Sequence, residues 1–163
     1  MTKMKRIGAI GGCLAASISF SIIPTGLASA AGGFQLRNGE SGQCLEIADW
    51  SSSNGAAARQ WTCTSGANQK WIWDGTALKN ANSGKCLEIA DWSKSYGSVA
   101  RQWECTGGAN QRWSMWNNDN YYYNIQNVNS RLWLEIPGNS HTRGTQATQW
   151  GENGGYNQRW NIV

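Results

Sequence analysis

Two carboxylates three residues apart, Glu46 and Asp49, sit in the heptapeptide CLEIADW at residues 44–50, and the same seven letters return at residues 86–92 with Glu88 and Asp91. Paired carboxyls are the equipment of glycoside hydrolysis, which needs them about 5–9.5 Å apart with separated pKa values. A duplicated active site on one small chain is unusual, however, and no separate catalytic domain fits in 163 residues. A nucleophilic triad would have to recruit His141, the single histidine. The other chemistry open to these residues is recognition without reaction. An aromatic ring covers the apolar face of a hexose, while a carboxylate and an amide read its hydroxyls. Tryptophans stand close by at Trp50 and Trp92, and again in the RQW triplets that carry Arg59, Trp61, Arg101 and Trp103. Amides follow at Asn68, Gln69, Asn110 and Gln111.

The elements that position these groups follow from self-similarity. A third, degraded copy begins at Asn127, and the three align without a gap from the L-E-I core onward. Glu46, Glu88 and Glu135 correspond, at intervals of 42 and 47 residues, as do Gly55, Gly97 and Gly144. Trp61, Trp103 and Trp150 lie fifteen residues after each Glu, and Trp71, Trp113 and Trp160 ten further on. Short β-branched and aromatic runs separated by Asn, Gly and Ser predict an all-β chain with about four strands per copy. In the first copy they fall near residues 34–37, 44–48, 58–63 and 70–73. One such unit cannot bury its apolar face alone, so three must share a core, and threefold closure of short hairpins into a capped barrel is a β-trefoil.

The ends bound the domain. A basic MTKMKR start, an apolar stretch and Ala28-Ser29-Ala30 predict a secretory signal peptide over residues 1–30, cut near Ala30 or Ala31. A single domain over 31–163 remains, with repeats of about 34–75, 76–117 and 121–163. Without the leader, eleven basic residues face ten acidic ones, a balance that removes the electrostatic argument for nucleic acid. Membrane insertion is not expected, and oligomeric state is not written in the sequence. Cysteines 44, 63, 86 and 105 survive cleavage; their equal spacing makes Cys44–Cys63 and Cys86–Cys105 the natural disulfides among three connectivities. No C-x-x-C occurs, so neither a metal nor a cofactor is expected.

The pattern C-L-x-[IV], then G, then Q-W-x-C, then N-Q-x-W, twice in full and a third time without its cysteines over the whole mature chain, resembles the secreted bacterial ricin B-chain-like (R-type) lectins with their Q-x-W repeats. The resemblance implies a β-trefoil that binds sugars, usually galactose-type ones. It makes Asn68, Asn110 and Asn157 sugar contacts with Gln69, Gln111 and Gln158 beside them, and Trp61, Trp103 and Trp150 the aromatic platforms. Glu46, Glu88 and Glu135 depart from the Asp the family usually has there. Trp71, Trp113 and Trp160 read as shared core. Each site residue also has a plainer reading: the Glu as a strand-end charge, the platform Trp as packing on the disulfide, the Asp-Trp pair as a loop turn, and Arg59 and Arg101 as salt-bridge partners. The third copy lacks both cysteines, the Asp-Trp pair and the Arg, so two good sites and a weak or lost third (Glu135, Trp150, Asn157, Gln158) are expected, with Trp133 filling the missing bridge's volume. The expected function is a multivalent, non-enzymatic lectin for mono- or oligosaccharides and cell-surface glycans, galactose first and L-rhamnose second. The alternatives are a stand-alone module for xylan or another polysaccharide, or a small glycosidase.

Overall fold

A computed structural model of the chain describes residues 32–119 and 121–163; the signal peptide expected over 1–30 lies outside them. Twelve strands run as β1 Leu36–Asn38, β2 Cys44–Ile47, β3 Ala58–Trp61, β4 Trp71–Asp74, β5 Ala77–Asn80, β6 Cys86–Ile89, β7 Ala100–Trp103, β8 Trp113–Asn117, β9 Tyr123–Asn127, β10 Trp133–Glu135, β11 Thr148–Trp150 and β12 Trp160–Ile162. The first and last strands of successive repeats pair as hairpins β4–β5 and β8–β9, and β12 returns to β1. Bridges Phe34–Trp71 and Ala77–Arg112, with the β12–β9 pair, join those hairpins into one closed ring of six. The inner hairpins β2–β3, β6–β7 and β10–β11 form the cap, tied to one another by bridges Ala57–Arg101, Arg59–Gln146 and Val99–Thr148. Closure removes the free edges that short strands would otherwise expose. The architecture is a β-trefoil.

Its core is written three times. Leu36, Leu78 and Ile125 from the ring meet Leu45, Leu87 and Leu134, then Ile47, Ile89 and Ile136, all with no measurable exposure. Ala58, Ala100 and Ala147 are as deeply buried, their small side chains leaving room for Trp71, Trp113 and Trp160. Each of those indoles donates its Nε1–H across 3.0 Å to the carbonyl of Leu45, Leu87 or Leu134, so the large ring enters the core without an orphaned donor. Because side chains alternate along a strand, Leu45 and Ile47 facing the core send Cys44 and Glu46 to the opposite face. That face is covered too, since all four residues of β2 are buried.

Strand bounds differ from the sequence reading by a residue or two. The second strand stops at Ile47 rather than Ala48 because Asp49 and Trp50 both turn left-handed, with φ of 55°. The first starts at Leu36, the third ends at Trp61 and the fourth runs Trp71–Asp74. Cys44–Cys63 and Cys86–Cys105 are bonded. In the third repeat Trp133 pairs opposite Trp150, as Cys44 does opposite Trp61, and Glu152 takes the place of Cys63.

Candidate functional site

In each inner hairpin the register sets a carboxylate opposite the residue that will hold it. Glu46 on β2 pairs with Arg59 on β3, and cross-strand Cβ atoms at such positions stand about 4.5–5.5 Å apart. Arg59 Nε donates to Glu46 Oε1 at 3.0 Å, and its Nη2 reaches Asp49 Oδ1 at 2.9 Å. Its guanidinium lies 4.7 Å over the Trp61 ring. Burial opposes the arginine's charge, but the hydrogen bonds to Glu46 and Asp49 outweigh it and raise the pKa above the ordinary value. The other oxygen of Glu46 accepts from Asn68 Nδ2 at 3.2 Å and Gln69 Nε2 at 3.1 Å. Those amides come from the 3₁₀ turn Ala67–Gln69, where Gln69 also donates to Thr62 O and accepts from Thr64 N. Glu46 is thus a buried carboxylate with partners on both oxygens, 4% exposed. The Asp49 side chain is 81% exposed.

The Asp-Trp pair owes its position to an uncommon backbone. Two successive non-glycine residues at positive φ cost strain that the surroundings must hold in place. Asn82 of the next repeat does so by donating to the Trp50 carbonyl at 3.1 Å. The Trp50 ring then lies against Gly66, where an added Cβ would come within 2.9 Å of Cζ2. The result is a cleft of about 560 Å³ containing Glu46, Asp49, Trp50, Arg59, Trp61, Asn68 and Gln69.

The second repeat copies the first. Arg101 bridges Glu88 at 2.9 Å and Asp91 at 3.0 Å and stacks 4.6 Å over Trp103. Asn110 and Gln111 hold the far oxygen of Glu88. Trp92 presses on Gly108, and the cleft, which Trp92, Trp103, Asn110 and Gln111 also line, measures about 180 Å³. The third keeps Glu135 with Asn157 and Gln158 at 3.1 Å each, but Thr148 replaces the arginine and comes no closer than 3.5 Å. Burial raises the pKa of Glu135 against the lowering effect of those hydrogen bonds. Gly138 and Asn139 adopt the left-handed turn here, residue types that tolerate it. Trp150 is 42% exposed and borders an open cleft of about 580 Å³.

Three features escaped the sequence reading. Gln60, Gln102 and Gln149, the middle letters of RQW and TQW, are fully buried and stitch the repeats together. Gln60 accepts from Ser41 and donates to the carbonyls of Ser140 and Thr142; its two counterparts do the same in turn. Each platform Trp also borders the glycine loop of a neighbouring repeat: Gly144 faces Trp61, Gly55 faces Trp103 and Gly97 faces Trp150. The residue before that glycine differs each time. Arg143 lies 5.8 Å over Trp61, Asn54 accepts from the Glu104 amide beside Trp103, and Tyr96 packs 5.0 Å from Trp150. The signal was present in the alignment of Gly55, Gly97 and Gly144, though the partner it faces was not. Gly66 and Gly108 are the third feature, fixed by the Trp that lies on them.

Comparison with known proteins places this geometry. Residues 32–160 match the family model of the ricin-type beta-trefoil lectin domain. A search of curated proteins finds no match. Among solved structures, the designed threefold-symmetric protein ThreeFoil is 30% identical with a TM-score of 0.78, over 81% of this chain and 98% of that one. An exo-beta-1,3-galactanase from Clostridium thermocellum is 31% identical with a TM-score of 0.77, and the match covers 82% of this chain but 30% of the enzyme. The Macrolepiota procera ricin B-like lectin, solved with lactose, shares the fold at 22% identity and a TM-score of 0.69, over 82% and 96% of the two chains. With three buried carboxylates each held by an Asn and a Gln amide in a closed threefold barrel, and a family match spanning all three, this chain belongs to the ricin-type beta-trefoil lectin domain family, whose members bind carbohydrate.

Proposed function

We propose that the chain is an exported, multivalent, non-enzymatic lectin that reads galactose-type sugars first and L-rhamnose second, through the clefts of the first two repeats. The observation that carries this is the Glu–Arg–Asp chain laid over a tryptophan, with ion-pair distances of 2.9–3.0 Å in both repeats. Glu46 and Glu88 fix the arginines; Asp49 and Asp91, far more exposed, read the hydroxyls. Trp50 and Trp92 wall the sugar's apolar face, with Trp61 and Trp103 beneath the guanidinium. Adjacent hydroxyls on one side of a ring, at positions 3 and 4 of galactose, suit a carboxylate beside a guanidinium; rhamnose offers a cis pair and a methyl group for the Trp50 wall. A guanidinium spanning Glu46 and Asp49 occupies the space where a glycosidase keeps substrate between its two carboxyls. The disulfides accord with an oxidising, extracellular setting.

One cleft alone should bind weakly, on the order of millimolar, because sugar hydroxyls are desolvated on entry. Two on a rigid frame raise avidity by roughly 10² to 10⁴ on a glycan-bearing surface. A glycan array tests the reading. Terminal galactosides or rhamnosides should bind; retention of long polysaccharides alone would replace it with a polysaccharide-binding module.

A further inference from the structure

The 47-residue interval between the second and third repeats exceeds the first by five residues, and none of residues 118, 119, 121 and 122 lines the three clefts. They lengthen the β8–β9 hairpin. Where β4 and β5 are joined through a two-residue turn between Asp74 and Ala77, Asn117 and Tyr123 are separated by five residues. Asp119 holds that loop by accepting from the amides of Tyr121 and Tyr122. Two further departures from the repeat converge on the same surface. Tyr156 stands where the other copies have Ala67 and Ala109, and Gly39 stands where they have Ala81 and Val128. Any Cβ on Gly39 would come within 3.1 Å of both Tyr122 Cε1 and the Tyr156 carbonyl. The glycine therefore makes room for the inserted ring.

What these changes build is a tyrosine corner outside the threefold. Tyr122 packs edge-on to Tyr121 at 4.9 Å and to Tyr156 at 5.6 Å, while Arg159 lies 4.4 Å over Tyr156. Tyr121 is 61% and Tyr156 47% exposed. Tyr121 and Tyr122 border a cleft of about 310 Å³ whose rim carries Arg37, Glu40 and Asn161. Exposed rings held rigid beside two arginines, Arg37 and Arg159, and two carboxylates, Glu40 and Asp119, with no excess of either charge, fit a neutral polyhydroxylated ligand better than an ion. We infer that this corner is a fourth saccharide site, independent of the three repeat clefts, in which the tyrosine faces cover sugar C–H surface while Arg37 and Glu40 read hydroxyls. The inference goes beyond the proposed function, because it neither uses nor requires Asp49, Asp91 or their tryptophans.

Amide chemical-shift mapping of the ¹⁵N-labelled full chain with lactose and with a galactotetraose tests it. Saturable shifts at residues 39–42 and 121–122 are expected, with Kd raised about tenfold or more in Tyr121→Ala/Tyr156→Ala. Tyr121 is exposed and Ala stands at the Tyr156 position in the other two repeats, so that variant should still fold, as a cooperative thermal melt would show. The same shifts should persist in Asp49→Asn/Asp91→Asn, which reports failure of the proposed clefts separately. Absence of shifts at residues 39–42 with both probes overturns the site. So does a change in sedimentation of the double tyrosine variant without sugar, which would make the corner a contact between copies of the chain.

Discussion

At the scale of single residues, the clefts separate what holds from what touches. Glu46 has partners on both oxygens inside the protein, and Asp49 has most of its carboxylate in water. Glu46→Gln should therefore lower stability by about 1–3 kcal/mol by stripping Arg59 of the buried one of its two charged partners. Asp49→Asn with Asp91→Asn should change stability by no more than about 0.5 kcal/mol, since each loses only an exposed ion pair, yet weaken sugar binding about tenfold. Denaturant melts beside calorimetric titrations check both. If Glu46→Gln spares stability and abolishes binding, the roles are reversed. Glu135 gives a pH-dependent contrast. Its pKa is raised in the folded state, so the native protein keeps a proton that the unfolded chain releases from about pH 4.3 upward. Stability should then fall as pH rises from that value through the folded pKa, and the deficit should be absent at lower pH. Gln at this position keeps an oxygen for Asn157 and Gln158 and turns its amide toward Thr148. Glu135→Gln should melt higher than wild type at neutral pH, and the difference should close below about pH 4. A gap that stays constant with pH would refute burial of the charge as its cause.

At the scale of elements, the left-handed turn after β2 is the feature in which sequence and geometry conflict. Asp49-Trp50 and Asp91-Trp92 adopt a backbone that Gly138-Asn139 adopts with less strain. Replacing Asp49-Trp50 by Gly-Asn should stabilise the fold by up to about 1 kcal/mol and remove binding at the first cleft. A loss of stability instead would show that Trp50 on Gly66 contributes more packing than its backbone costs. This turn also marks the limit of what could be read from the chain. The threefold pattern of Leu45, Ile47 and Trp71 exposed the trefoil because a shared core demands like residues at like places. The members of the cleft were legible for the same reason. Their division into buried and exposed was not, because an Asn or a Glu has one letter whether its partners are protein or sugar. Gln60 shows it most plainly: inside a motif associated with sugar sites, its amide nitrogen is committed to two carbonyls of another repeat and its oxygen to Ser41.

At the scale of the whole molecule, the bridges that join the three inner hairpins set a loop of one repeat against the platform Trp of another, and Gly97 of the second repeat lines the third cleft. What lies beside each platform ring is set by the loop that arrives from the neighbour as well as by the hairpin beneath. Arg143 lies over Trp61, Asn54 holds the Glu104 amide beside Trp103, and Tyr96 packs on Trp150. In the first two, the Arg59 and Arg101 guanidinia already cover the platform rings; in the third, Thr148 leaves Trp150 open and Tyr96 stands beside it. Calorimetric titration with a galactoside should therefore resolve two sites of one class from a weaker third, and three equivalent sites would contradict it. Tyr96→Ala separates the neighbouring loop from the hairpin as the source of that difference. It should alter binding only at the third cleft, seen as shifts confined to the amides near Trp150 and Asn153. Agglutination of galactose-bearing cells should persist in this variant, because two clefts on one rigid frame suffice for cross-linking. If agglutination is lost with Tyr96 alone, the third cleft carries more of the valency than the first two repeats, and the ranking of the sites inverts.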